Sequence, residues 1–161
     1  ASHENQVRKT GRDTTVTQKE IDRATKFYIL NGYEKEAAKE TAIQYMEEVN
    51  ALYVRAVNAG YGVTEEELEK YLIELKNFLE MSESRELYEA VMQGYGSEEA
   101  YWEFLRGVYE KNLPIEKYVA DLEAKMAETW QMDRTTEEFR EQWNVYFDEL
   151  KQSCVREQAY K

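Results

Sequence analysis

Asn58-Ala59-Gly60-Tyr61-Gly62-Val63-Thr64-Glu65-Glu66-Glu67-Leu68 closes one helix and opens another. A glycine just past an apolar-periodic run is a helix stop, because it enters the left-handed region without a Cβ penalty. Thr64 with Glu67 three residues on is a capping box. The Thr hydroxyl accepts from the N3 backbone N–H, and the Glu carboxylate accepts from the Thr N–H, so two orphan donors are satisfied together. The same grammar stands at Val16-Thr17-Gln18-Lys19-Glu20-Ile21, and a third box opens the last helix at Thr135-Thr136-Glu137-Glu138. With one Pro and seven Gly in 161 residues, capped starts of this kind predict long helices.

Upstream of this stretch, the Val16 start predicts a first helix from Gln18 to about Leu30, stopped by Asn31-Gly32. A second runs from about Glu34 to Ala59, with Ala38, Ala42, Tyr45, Met46, Val49, Leu52, Tyr53 and Ala56 on one face. Downstream, Leu68, Tyr71, Leu72, Leu75, Phe78 and Leu79 line a third. A short helix over about Ser84 to Gln93 stops at Gly94-Tyr95-Gly96. Ser97 caps the next, whose face is Tyr101, Phe104, Leu105 and Val108. Asn112 ends it, and Pro114 stands where the first residue of a sixth helix belongs, since proline loses no bond there. Ile115, Val119, Leu122, Met126 and Trp130 line that sixth helix. The last runs from Glu137 to Tyr160, with Phe139, Trp143, Tyr146, Leu150 and either Cys154 or Val155 facing inward. Residues 1–15 read as an arm or a marginal two-stranded hairpin turning at Gly11–Asp13. The expectation is an all-α fold. It is an extended bundle of about six to seven helices over residues 16–161, whose long C-terminal helix packs back on the N-terminal ones.

The charge narrows the partners. With 21 Lys+Arg against 33 Asp+Glu the chain carries −12, which opposes nucleic acid and anionic lipid surfaces. No apolar stretch approaches the ~20 residues of an integral membrane span. One cysteine, Cys154, forms no internal disulfide, and on an apolar stripe it reads as a small buried hydrophobe. With only His3 beside it, the chain offers no metal cluster, no Glu-x-x-His pairs for a di-iron bundle, and no Ser-His-Asp or Cys-His site. Gly60-Tyr61-Gly62 and Gly94-Tyr95-Gly96 follow helices, not strands, so they read as helix stops rather than phosphate loops. The expectation is therefore a non-enzyme with no catalytic residues, no metal and no cofactor.

The 13 Tyr, 5 Phe and 3 Trp are many for so charged a chain. Tyr28, Tyr33, Tyr61, Tyr95, Tyr101 and Trp102 include residues off the inward stripes. Taken singly, each reads as a ring packed over a helix end or loop. Taken together, they are the candidate lining of an apolar groove for extended peptide.

The order of these segments resembles a known family. Val16-Thr17, Glu20-Ile21, Ala56, Gly60-Tyr61, Val63-Thr64, Glu66-Glu67 and Gly96-Ser97-Glu98-Glu99-Ala100-Tyr101-Trp102 are similar to the N-terminal, peptide-binding domain of SurA-type extracytoplasmic chaperones and their Gram-positive foldase and trigger-factor-like relatives. Phe139, Trp143, Tyr146, Leu150 and Val155 look like the C-terminal helix that such chaperones fold back onto that domain. The likeness covers roughly residues 16–155. Many relatives carry a parvulin prolyl-isomerase domain, but here only a few residues around Gln131–Thr135 join the sixth and terminal helices. The resemblance thus implies an extracytoplasmic chaperone module, secreted, periplasmic or a cell-surface lipoprotein. It would bind unfolded or extended polypeptide clients without ATP and without isomerase activity. A signal peptide or lipid anchor before Ala1 stays open. The alternative is a non-catalytic interaction module that uses its apolar surface for a homodimer or one fixed partner, and oligomeric state separates the two.

Overall fold

The computed structural model describes residues 5–161; the first four residues of the N-terminal arm, His3 among them, lie outside the described residues. Two short strands, β1 (Val7–Thr10) and β2 (Thr15–Thr17), precede the helices α1 (Gln18–Leu30), α2 (Lys35–Asn58), α3 (Glu65–Met81), α4 (Arg85–Gln93), α5 (Glu98–Trp130) and α6 (Glu137–Gln158). The fold is all-α with a minor antiparallel hairpin, as the capped starts and apolar spacings require. Both capping boxes are formed in full, Thr17 with Glu20 and Thr64 with Glu67. The third box expected at Thr135–Glu138 is not formed: the cap is Thr136, whose third position is Phe139, so Thr136 accepts from the Phe139 N–H alone, without a reciprocal carboxylate.

The expected break after Asn112 is overturned: α5 runs unbroken through Pro114. An interior proline has no N–H to offer the carbonyl four residues back, which costs about 3 kcal/mol. Leu113 and Pro114 are both buried, and burying a Leu-sized side chain contributes about 1.5–3 kcal/mol. Tertiary packing therefore carries the helix past a residue whose local preference is to start one.

The chain packs as two units. The first runs through Tyr61 and resumes from Pro114 to Lys161; the second is Gly62–Leu113. In the first unit α2 packs against both α1 and α6. Burial on two sides widens its inner face beyond the expected stripe: Asn50 and Ala51 are buried, while Tyr45 is exposed. The core has three groups. Val16, Ile21, Ala24 and Ala42 join the hairpin to α1 and α2. Ala51, Leu52 and Cys154 join α2 to α6. Ala127, Phe139 and Trp143 join the end of α5 to α6. In the second unit Leu68, Leu72, Leu105 and Leu113 pack with Tyr71, Tyr101, Trp102, Phe104 and Tyr109. Phe78, expected on the buried stripe of α3, is exposed, because it stands at the margin of that stripe, whose centre is held by buried Leu68 and Leu72 and half-buried Leu75 and Leu79.

The hairpin is closed by the far end of the chain. Thr10 and Lys161 exchange both backbone hydrogen bonds, each 3.0 Å. The Arg12 N–H donates to the Gln158 carbonyl, the Asp13 N–H donates to Gln158 Oε1, and Gln158 Nε2 donates back to Asp13. Gly11 leaves room for this: a Cβ there would stand 2.8 Å from Gln158 Oε1. The Tyr160 ring packs on the hairpin core, and its O–H donates to the Glu47 carbonyl at 2.8 Å.

Burial, with Glu47 and Glu20 nearby, pushes the Tyr160 phenol well above its ordinary value of 10.0. The folded chain thus holds the proton more tightly than the unfolded one. The stabilisation is complete below the unfolded pKa of about 10 and is lost as pH rises through the folded one. Tyr160→Phe is expected to cost about 1 kcal/mol at neutral pH for the lost hydrogen bond. It should also flatten the alkaline loss of stability. Urea midpoints at about pH 8 and pH 10.5 check this; an unchanged alkaline slope would assign the loss to the other tyrosines.

Candidate functional site

Tyr28 and Tyr33 meet because of how α1 ends. Gly32 takes φ +96° just past Asn31. Its N–H donates to the Ile29 carbonyl and the Tyr33 N–H reaches back to the Tyr28 carbonyl, both 3.0 Å. This is a Schellman stop, in which the two residues so bonded usually make an apolar contact. Here that contact is aromatic, with ring centroids 5.0 Å apart. Phe27 stands edge-on to Tyr28 at 5.6 Å, and Tyr45 of α2 joins at 6.2 Å. The result is a four-ring cluster in which Phe27, Tyr33 and Tyr45 are exposed, with Ile29 and Leu30 exposed beside it in the last turn of α1. Partial burial among these rings, with Tyr45, Tyr33 and Glu48 nearby, raises the pKa of Tyr28.

The other sequence-selected rings stand elsewhere. Tyr61 follows the Gly60 stop in the same way, its N–H bonding to the Ala56 carbonyl. Its ring leans on Tyr118 at 5.5 Å and its O–H donates to Asp121 at 2.7 Å. That hydrogen bond is the main cause of its raised pKa. Tyr95, Tyr101 and Trp102 come together in the second unit as core aromatics. Tyr95 is buried and stacks on Phe104 at 4.8 Å, and Tyr101 lies 5.2 Å from Tyr95. The Trp102 indole N–H donates to the Tyr88 hydroxyl at 3.0 Å. Burial is the first cause of the raised pKa of both Tyr95 and Tyr101.

Of the six residues, Tyr28 and Tyr33 therefore share a partly exposed patch, while Tyr95 is buried and Tyr101 and Trp102 are half-buried in the packing of the second unit. Stripe reading missed Phe27, Leu30 and Tyr45. The Asn31-Gly32 stop followed by Tyr33 signals the Tyr28–Tyr33 pair, since a Schellman end joins that position to the residue five before it, but nothing local points to Tyr45, which the spacing places on the inward face of α2.

Among the described residues, no three His, Cys, Asp or Glu side chains converge so as to hold a metal ion. No helix among the described residues is long and apolar enough to cross a membrane. Cys154 is buried, which raises its thiol pKa; Arg55 opposes the shift and Glu157 adds to it. Comparison with protein-family models, curated proteins and solved structures gives no match.

Proposed function

We propose that this chain is a chaperone-like holder of unfolded or extended polypeptide, an extracytoplasmic module of the SurA type that works without ATP and without isomerase activity. The observation that carries the reading is the exposed cluster of Phe27, Tyr33 and Tyr45 around Tyr28, with Ile29 and Leu30 adjoining. Large apolar side chains grouped at a surface mark contact sites, whereas scattered ones need no explanation. Aromatic rings supply contact area with few rotors, and promiscuous clients are met by many small apolar contacts rather than one fixed shape. A net charge of −12 keeps a loaded complex soluble. The compartment rests on the family resemblance of residues 16–155.

The test is light scattering of a chemically unfolded model client diluted with an equal amount of this protein. Aggregation is expected to be delayed. Phe27→Ser with Leu30→Ser should remove at least half of that protection. Both side chains are exposed, so the double change should shift stability by only about 0.5 kcal/mol. Unchanged scattering with the parent protein refutes the holding role; full protection by the variant moves it away from this cluster.

A further inference from the structure

The second unit carries a different exposed surface. Residues 62–113 hold 13 of the 33 acidic and 5 of the 21 basic side chains, a net of −8 within the chain's −12. On α3, Ile73 is 58% exposed, Phe78 68% and Met81 87%; on α4, which packs against α3, Leu87 is 66% exposed. Met81 is three residues from Phe78 and eight from Ile73, so around α3 it stands between Ile73 on the outer side and Phe78 at the margin of the inward stripe. Leu87 and Val91, both exposed, lie four apart on one side of α4.

Acids flank these side chains. A shallow concavity of about 510 Å³ along α3 is lined by Glu65, Glu66, Glu69, Lys70, Ile73 and Glu74. Arg106 pairs with Glu65 and Glu69. Among the described residues, Glu66, Glu74, Glu83 and Glu86 have no ion-pair partner.

We propose that this exposed surface of α3 and α4 docks a basic amphipathic polypeptide segment, with its apolar side chains on Ile73, Phe78, Met81 and Leu87 and its lysines or arginines against Glu66, Glu74, Glu83 and Glu86. Charge decides the occupant. Anionic lipid and nucleic acid are repelled by a unit of −8, and so is a second copy of the same unit. An apolar helix face flanked by cations supplies both terms at once, in the manner of groove-bound helices. The proposal stands apart from client holding at the Tyr28 cluster, since it uses other residues on another unit.

The probe is a fluorescently labelled peptide of about 18 residues, long enough for five helical turns. It carries leucines at i, i+3, i+4 and i+7 and lysines elsewhere. Anisotropy with the full chain should show saturable binding that weakens with salt. Phe78→Ser with Met81→Ser should weaken it about tenfold, a change of 1.4 kcal/mol, while Phe27→Ser with Leu30→Ser leaves it unchanged. A lysine–serine peptide and a leucine–glutamate peptide should each bind about tenfold more weakly or worse. Equal binding of the lysine–serine peptide would reduce the effect to diffuse charge attraction and overturn the proposal. Parent-like affinity in the Phe78/Met81 variant would overturn it as well, as would loss of binding only in the Phe27/Leu30 variant. Because the aggregation assay reads the other cluster, either reading can fail while the other stands.

Discussion

Phe139→Ala is expected to lower stability by about 3–5 kcal/mol, the range for emptying a buried aromatic site. Phe139 is fully buried at the start of α6. Its ring lies 5.9 Å from Trp130 at the end of α5 and is stacked 6.4 Å from Trp143 one turn on. Trp143 continues the stack to Phe147 at 5.6 Å. Both tryptophans are held by other groups as well, Trp143 with Phe147 and Tyr146, Trp130 with Tyr146. They cannot both move into the vacancy, so the cavity term should be near its full size. At about 2–4 °C per kcal/mol for a chain of this size, the thermal midpoint should fall by roughly 6–20 °C. Trp130 and Trp143 touch the deleted ring, so indole fluorescence reports the change directly. Phe139→Leu, which keeps most of the volume, should cost about 1–2 kcal/mol. A loss below about 1 kcal/mol for the alanine change would mean that this end of the core closes up freely.

Phe139 also illustrates what is legible in a sequence. Its place follows from two local facts, a Thr cap three residues before it and apolar repeats at 143, 146 and 150. Every element whose start depends on side-chain to backbone bonding within one turn is readable in that way: α1 from Thr17, α3 from Thr64, α5 from Ser97. Pro114 was not, because its local preference lost to packing on residues far away in the sequence. The closure of the hairpin by Lys161, 151 residues from Thr10, has no local signature at all. Aromatic residues were misleading for a related reason. Trp102 lies off the apolar stripe of its own helix, yet the short α4 brings Tyr88 to its indole N–H and turns that side inward. Conversely Phe78 keeps the stripe spacing but stands at the stripe's edge, exposed beside half-buried Leu79. An exposed contact surface is defined by where cover is missing, and periodicity does not encode that.

Asn50 is the buried polar residue that periodicity passes over, and replacing it should have the second-largest effect. It is fully buried on α2. Its Nδ2 donates to the Thr15 carbonyl at 2.8 Å and to Glu20 Oε1 at 3.3 Å. Glu20 is the reciprocal member of the α1 capping box, so one amide ties together the hairpin, the start of α1 and the middle of α2. Asn50→Leu keeps the volume and removes the donors. The lost bond to the half-buried Thr15 carbonyl costs about 0.5–1.5 kcal/mol, and a bond to a carboxylate contributes about 1.5–3 kcal/mol. A total loss of about 2–4 kcal/mol is expected, since the two are not additive in one network. Asn50→Asp separates the electrostatic part from the steric one. At neutral pH it sets a second carboxylate against Glu20 and a carbonyl in a buried site, so it should cost more than the leucine change. Burial and the like charge both raise the folded-state pKa of the introduced acid above its unfolded value near ~4. Its deficit relative to the parent should therefore shrink as pH falls from about 7.5 towards 4.5, because the protonated acid regains a donor for the Thr15 carbonyl. Denaturant midpoints of parent, Asn50→Leu and Asn50→Asp across that range measure it. A deficit for Asn50→Asp that stays constant with pH, or never exceeds that of Asn50→Leu, would show that water reaches position 50 and that the hairpin, α1 and α2 are not joined through a dry amide.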